Sequence, residues 1–413
     1  MQFPTSAPQT LKHLPFFEVL AIAPEDSLDA RLATAGLLSL RMLDHWVLAG
    51  PAIVEPESVS VRSVRRAIMA LPANEPAREA LLTTVNTMQM LRHVDVVPVL
   101  PRVFAYAQLL ERHYGVMLLA ADAYESVIRL ADLEFDAELV MDSYHRLAFC
   151  QRKTGALDLA AKASTTLTRI AGRRKDRARV LRGKMGLGQV AMMRGELAEA
   201  DSQFSAIAAE AEKHELTSEY AMALHNRAVV ASRNHDPVQA SVLAHSAMKL
   251  TSDPVERDRV LSDLAAFLIS AGRYDAALDA LRVLEVTATS SEQRIAVRVN
   301  TIVAAAHAGN QELFEAMRST LAGATLPIEA QLNLFVEVAS GLRRFGLAAD
   351  ADTAIADATV LANAHGVPLP EPTALTATPI ARQSENSRRT QPELDPAGVI
   401  ATDLRQMAAS LAA

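Results

Sequence analysis

Cysteine is nearly absent from this chain: Cys150 is the one thiol in 413 residues, so no internal disulfide can form and no cysteine-ligated zinc cluster can be built. Aromatic residues make up only 4%, which leaves few rings to interleave with cations and stack on bases. Uninterrupted apolar runs are short, far from the roughly 20 residues that a membrane-spanning helix needs. The first residues lack the design of a signal peptide, with Pro4, Pro8 and Pro15, a lone Lys12, and Glu18, Glu25 and Asp26 around a brief apolar stretch. There is no surplus of positive charge either. A formal charge of −7 and a pI near 5.9 argue against wholesale nucleic-acid binding. Together these absences point to a protein of the reducing cytoplasm.

What the chain has instead is a recurring glycine. Gly115, Gly155 and Gly195 are followed by His235 where the next is due, then by Gly272, Gly309 and Gly346; the step is 40 residues three times and then 37 residues three times. Five residues after each comes Ala120, Ala160, Ala200, Ala240, Ala277, then Phe314 as the exception, then Ala351. Seven before each stands Gln108, Ala148, Gly188, Ala228, Ala265, Ile302 or Ala339, mostly small. Self-similarity at this period means stacked repeats rather than one globular core. A glycine between two runs of helical periodicity fits the left-handed position just past a helix end. Small residues on either side mark where two helices cross closely. Each unit therefore reads as helix, tight turn, helix. A composition that is half hydrophobic, dominated by alanine and leucine, suits such packing.

The third unit carries Leu187, Gly188, Gly195, Ala200 and Phe204, and another carries Leu264, Ala265, Gly272 and Ala277. These resemble the tetratricopeptide repeat superfamily, in a long form like that of bacterial regulatory and assembly proteins, over roughly residues 98–365. The resemblance implies an all-α, right-handed superhelical solenoid of helix-turn-helix repeats.

The expected organisation has four parts. Residues 1–97 form an N-terminal helical region of degenerate capping repeats, with a helix from Asp26 or Ser27 to Ala49 ended by Gly50 and Pro51, and further helices over Glu57–Leu71 and Glu75–Arg92. The solenoid of about seven repeats covers 98–366. A disordered tether over 367–394 is indicated by Pro368, Pro370, Pro372, Pro379 and Pro392 among Thr, Ser, Gln and charged residues. A short amphipathic helix, 395–413, closes the chain: Ile400, Leu404, Met407 and Leu411 recur on one face as a docking element.

Chemistry is hard to find. Gly183, Gly186 and Gly188 have the wrong spacing and no preceding strand for a phosphate loop. The 11 histidines form no paired metalloprotease arrangement, and Cys150, amid Leu147, Ala148 and Phe149, reads as a small buried hydrophobe. No catalytic residue, metal ligand or cofactor is assigned, and the expectation is a protein that is not an enzyme.

Surface character remains. In tetratricopeptide-like folds the first helices of successive repeats line a concave groove. The resemblance places there Arg102, Arg112, His113, His145, Arg146, Arg152, Lys153, Arg182, His225, Asn226, Arg233 and Arg259, with Met185, Met192 and Met193 as adaptable apolar surface, against Asp142 and Asp263. A second cationic run, Arg169, Arg173, Arg174, Lys175, Arg177, Arg179, Arg182 and Lys184, is broken only by Asp176; an acidic protein segment, a solvated face and nucleic acid are the three readings of it. Ser58–Ile68, with Arg62, Arg65 and Arg66, lacks the preceding helix of a helix-turn-helix. The expected function is a scaffold or adaptor whose basic groove holds an acidic or carboxylate-bearing partner segment. The alternative is a ligand- or peptide-responsive regulatory subunit acting through another chain. Self-association is compatible with both, whereas a membrane partner is not expected and nucleic acid is disfavoured.

Overall fold

A computed structural model describes residues 12–288, 291–324, 326, 328–370 and 396–412. The expected tether, from 371 onward, lies outside them. Every regular element among the described residues is helical. The chain divides into two compact units, Met1–Glu196 and Leu197–Ala413. The first holds α1 (Leu14–Ile22), α2 (Leu28–Ala49), α3 (Val59–Met69), α4 (Pro76–Met90), α5 (Leu100–Arg112), α6 (Met117–Leu130), α7 (Ala137–Lys153), α8 (Leu157–Arg174) and α9 (Arg177–Met193). The second holds α10 (Leu197–Lys213), α11 (Thr217–Arg233), α12 (Pro237–Leu250), α13 (Pro254–Ser270), α14 (Tyr274–Thr287), α15 (Ser291–Ala308), α16 (Gln311–Leu321), α17 (Ile328–Arg344), α18 (Ala348–His365) and α19 (Pro396–Ala412).

Within each unit consecutive helices pack against one another, as stacked helix-turn-helix repeats require. The turns follow the glycine series. Gly115, Gly155, Gly195, Gly272, Gly309 and Gly346 all have φ between 69° and 82°, and His235 takes the same left-handed conformation at 60°. At six of these seven turns the next residue's N–H reaches back to the carbonyl five positions before itself, for example Ala156 to Gln151 and Asp236 to Ala231; at Gly115 the bond runs from Val116 to Leu110. This six-to-one bond closes the helix end and leaves the next helix free to start two residues later. Lys175 and Glu215 adopt the same conformation in the α8–α9 and α10–α11 turns. Nothing in their residue type announces it.

The close-approach residues are where the repeat register puts them. Ala120, Ala160, Ala200, Ala240, Ala277, Phe314 and Ala351 are all fully buried, as are Ala228, Ala265 and Ile302 on the other side of their turns. Phe314 has a structural explanation. Its ring lies over Gly341 of α17, where a Cβ would collide with it, so one repeat's missing side chain accommodates the other's large one. In the first unit, Gly183 of α9 meets the backbone of α8: a Cβ there would lie 2.9 Å from the Ser164 carbonyl and 3.0 Å from the Thr168 nitrogen. The glycines that look like a phosphate loop are a helix crossing.

Ahead of the repeats, Ser27 caps α2 by accepting from the Ala30 N–H, and Gly50 follows its end. α1 was not foreseen. Nine residues with a proline at the second position make a marginal helix in isolation, and tertiary contact holds this one. Phe16 is fully buried at Gly36 of α2, where a Cβ would lie 2.6 Å from its ring and collide with the Tyr106 hydroxyl. His13, itself left-handed at φ 63°, adds a polar anchor: Nδ1 lies 2.5 Å from Asp122 of α6 and Nε2 3.5 Å from Asp44 of α2. Lys12 and Arg129 also reach Asp44, at 3.1 and 2.8 Å.

Candidate functional site

The residues expected to line one basic groove fall in both units. Arg102, Arg112, His145, Arg146, Arg152, Arg182, Met185 and Met192 belong to the first, and His225, Asn226, Arg233 and Arg259 to the second. Their exposure sorts them. Arg102, Arg112, Arg233 and Arg259 are exposed, while His145, Arg152 and Arg182 are half-buried and engaged with neighbours. Met185 is only 1% exposed and Met192 is buried, so the expectation that these methionines present adaptable surface is corrected. They sit on the side of α9 that packs inward, because the register that buries Gly188 also buries Met185 three residues before it and Met192 four after.

Several of the cations are also neutralised from within. Arg146 lies 3.1 Å from Glu111 of α5, a buried carboxylate that also accepts from the Tyr124 hydroxyl at 2.7 Å. Burial pushes the Glu111 pKa above the ordinary carboxylate range even so. Arg179 of α9 pairs with Asp142 of α7 at 3.0 Å and Asp176 at 2.7 Å. In the second unit His225 is buried with Nε2 2.7 Å from Asp263 of α13, Asn226 donates to the Met222 carbonyl, and Arg259 pairs with Glu256 one turn back. Carboxylates of neighbouring helices thus hold part of the charge that the sequence assigned to a ligand. Cys150 is fully buried, and burial together with the nearby Glu111 charge pushes its thiol up to about 12, the state of an inert core residue.

The second cationic run has a different setting. Arg169, Arg173, Arg174, Lys175 and Arg177 are exposed around the end of α8 and its left-handed turn into α9. The side chains of Arg169, Arg173 and Lys175 make no hydrogen bond or ion pair with any other described residue. Cations in the last turn of α8 are favoured by the helix dipole, which explains their folding without supplying a carboxylate. Arg174 donates to the Leu133 carbonyl at 2.6 Å and the Glu134 carbonyl at 3.2 Å, and so fastens the α6–α7 turn to the same edge. That turn exposes Leu133 at 41% and Phe135 at 77%. A hollow of about 250 Å³ opens beside Leu133, lined by Leu133, Glu134, Ile170, Arg173 and Arg174. The sequence reading found the cations but not the ring, since Phe135 stands 34 residues before the nearest of them. An apolar pair inside an otherwise acidic turn, Asp132 to Asp136, was the available signal.

A larger cleft, about 640 Å³, opens in the second unit among α16, α17 and α18. Leu321, Leu326, Leu334, Phe335 and Val338 supply its apolar wall and Asp350 and Asp357 stand on the α18 side. At 11 residues α16 is shorter than the 14 of α12 and α14, and Gly323 at φ 80° turns the chain away after it, leaving part of α17 and α18 uncovered.

Of the expected docking face of α19, Ile400 and Leu404 are buried in one core cluster with residues of α12, α13 and α14. Met407 packs partly against it, but Leu411 is 45% exposed and is removed from that face. Among the described residues no group of three metal-binding side chains is arranged around a common point, and no helix is long and apolar enough to cross a membrane.

No family model matches the chain, and no curated protein matches it. Among solved structures, the apo form of RapI aligns with a TM-score of 0.45 at 15% identity over 65% of this chain and 98% of its own. A Rap protein complexed with competence and sporulation factor aligns with a TM-score of 0.48 at 12% identity over 83% of this chain and 99% of its own.

Proposed function

We propose that this chain is a non-enzymatic helical-repeat interaction protein that holds an acidic partner segment, and that the segment binds at the α6–α7 and α8–α9 turns of the first unit. The observation that carries the reading is the coincidence of unpaired cations with an exposed apolar pair. Arg169, Arg173 and Lys175 offer charge that no carboxylate among the described residues pairs with, and Leu133 with the hollow beside it, and the exposed Phe135, offer an anchor point for one apolar side chain. A protein of net charge −7 keeps this edge positive only locally, which favours acidic partners that approach in one orientation.

The test uses a fluorescent peptide of aspartates and glutamates around a single leucine, with its lysine counterpart as control. Reversing Arg173 and Lys175 to Glu should weaken the acidic peptide about tenfold, on the basis of two exposed charge contacts of up to about 1 kcal/mol each. Phe135→Ala should weaken it further, and added salt should weaken the unaltered complex. Affinity that ignores the reversals, or a lysine peptide that binds as well, rejects the reading.

The cleft of the second unit favours a second reading, a regulatory subunit that responds to a small ligand or peptide. Its volume of about 640 Å³ lies within the ordinary range of ligand sites, and its wall mixes apolar side chains with Arg318, Gln331 and the carboxylates of Asp350 and Asp357. A co-purifying ligand that alters proteolysis of α16–α18, and is lost in Val338→Asp, would support it.

A further inference from the structure

α19 lies against α14 along its length and touches α12, in the second unit. Its attachment has the form of a ligand in a site. Ile400 and Leu404, four residues apart, are 2% and 0% exposed among apolar residues of α12–α14. Asp403, beside the second anchor, places its carboxylate 2.9 Å from Lys249 Nζ and 3.2 Å from His245 Nε2, both on α12. On the other side Arg405 stands 3.8 Å from the buried Asp279 carboxylate of α14, which already has Arg282 at 2.7 Å. Two apolar sockets, the Lys249 ammonium and the His245 imidazole, whose pKa burial lowers, therefore define what this face accepts.

The fit is partial. Leu411, the last residue of the apolar stripe, remains 45% exposed, so α19 uses only the first three positions of that stripe. It is joined to α18 through about 30 residues, a contour of roughly 100 Å at the extended rise of the chain, so it can leave the face without disturbing the helices beneath.

We infer that the α12–α14 face is a helix-docking site that α19 closes from within, and that its external ligand is an amphipathic helix of another protein that sets one carboxylate against Lys249. That helix carries two apolar residues four apart with a carboxylate immediately before the second. Charge complementarity selects this occupant: Lys249 and His245 meet a carboxylate, whereas a helix with lysine at that place sets like charges together. The site is separate from the cationic edge of the first unit and does not depend on it.

The experiment uses the full chain carrying Ile400→Ser and Leu404→Ser, which removes the two anchors of α19 and none of the receiving face. The probe is a fluorescein-labelled peptide of residues 396–412. Tethering at millimolar effective concentration makes α19 a strong competitor, so the double variant should bind the probe at least about tenfold more tightly than the unaltered chain. Adding Lys249→Glu to the variant, or Asp403→Lys to the probe, should abolish the gain. Equal binding to variant and unaltered chain, binding to neither, or indifference to both charge changes overturns the inference. Concentration-dependent dimers of the unaltered chain that the double variant loses would make a second copy the occupant, and so overturn the heterologous partner. Should the variant lose helicity, hydrogen exchange of the unaltered chain decides: faster exchange in 396–412 than in α14 supports a releasable helix, and equal protection makes it a fixed brace.

Discussion

His13 shows how much one side chain can fasten. It is buried between Asp122 and Asp44, and α1 begins at the next residue. Burial alone would depress its pKa, but hydrogen bonds and charge from the two aspartates outweigh this and leave it above the ordinary value of about 6.5. A histidine whose pKa rises on folding contributes stability that is complete below about 6.5 and is lost as pH climbs through the folded value. Asp44 is shifted the other way: burial opposes the change, but His13, Arg129 and Lys12 hold its pKa below the ordinary range, so it stays ionised across that window. The attachment of α1 should therefore weaken as pH rises from about 6.5 through the folded pKa of His13. Hydrogen exchange in residues 14–22, corrected for intrinsic rate, should show falling protection over that interval, and His13→Asn should flatten the dependence. Protection that does not change with pH would mean that Phe16 alone holds the helix.

At the scale of the element, Phe314 and Gly341 form a pair that no single helix explains. Gly341→Ala drives a Cβ into the Phe314 ring and should cost about 1–3 kcal/mol by overpacking. Once Phe314→Ala has emptied that space, the same Gly341→Ala should be neutral or stabilising, because a mid-helix glycine is about 0.5–1 kcal/mol worse than alanine. Urea denaturation of both singles and the double measures the coupling; additive effects would show that the ring and the glycine do not meet. The turns give a second check. His235 bears the left-handed strain that six glycines avoid, so His235→Gly should leave stability unchanged or raise it, whereas Gly195→Ala should cost about 1–2 kcal/mol. A His235→Gly loss comparable to that of Gly195→Ala would contradict the common turn.

At the scale of the molecule, two compact units built from neighbour contacts should fail separately. Gly183→Ala forces α9 away from the α8 backbone and is expected to raise exchange in α8 and α9 while leaving α13–α18 protected. A uniform loss of protection in both units would show instead that the chain unfolds as one cooperative body.

Helix-turn-helix repeats, their seven turns and their buried small residues were legible in the chain because each depends on local chemistry: a left-handed turn asks for glycine, and a close crossing asks for alanine. The caps of α2 were legible for the same reason. α1 was not, since nine residues carry too little local signal and its stability comes from Gly36 and two distant aspartates. The candidate site divides along the same line. Sequence alone identified the cations, but whether a cation is available is a question of what lies beside it. Arg146 meets Glu111 from a helix 35 residues away and Met185 turns inward, while the side chains of Arg173 and Lys175 have no partner among the described residues. Likewise the apolar stripe of α19 was visible in its spacing, and only packing decided that Ile400 and Leu404 are anchors and Leu411 is not. Spacing along a helix selects a face, and the neighbouring helices determine how much of that face is covered.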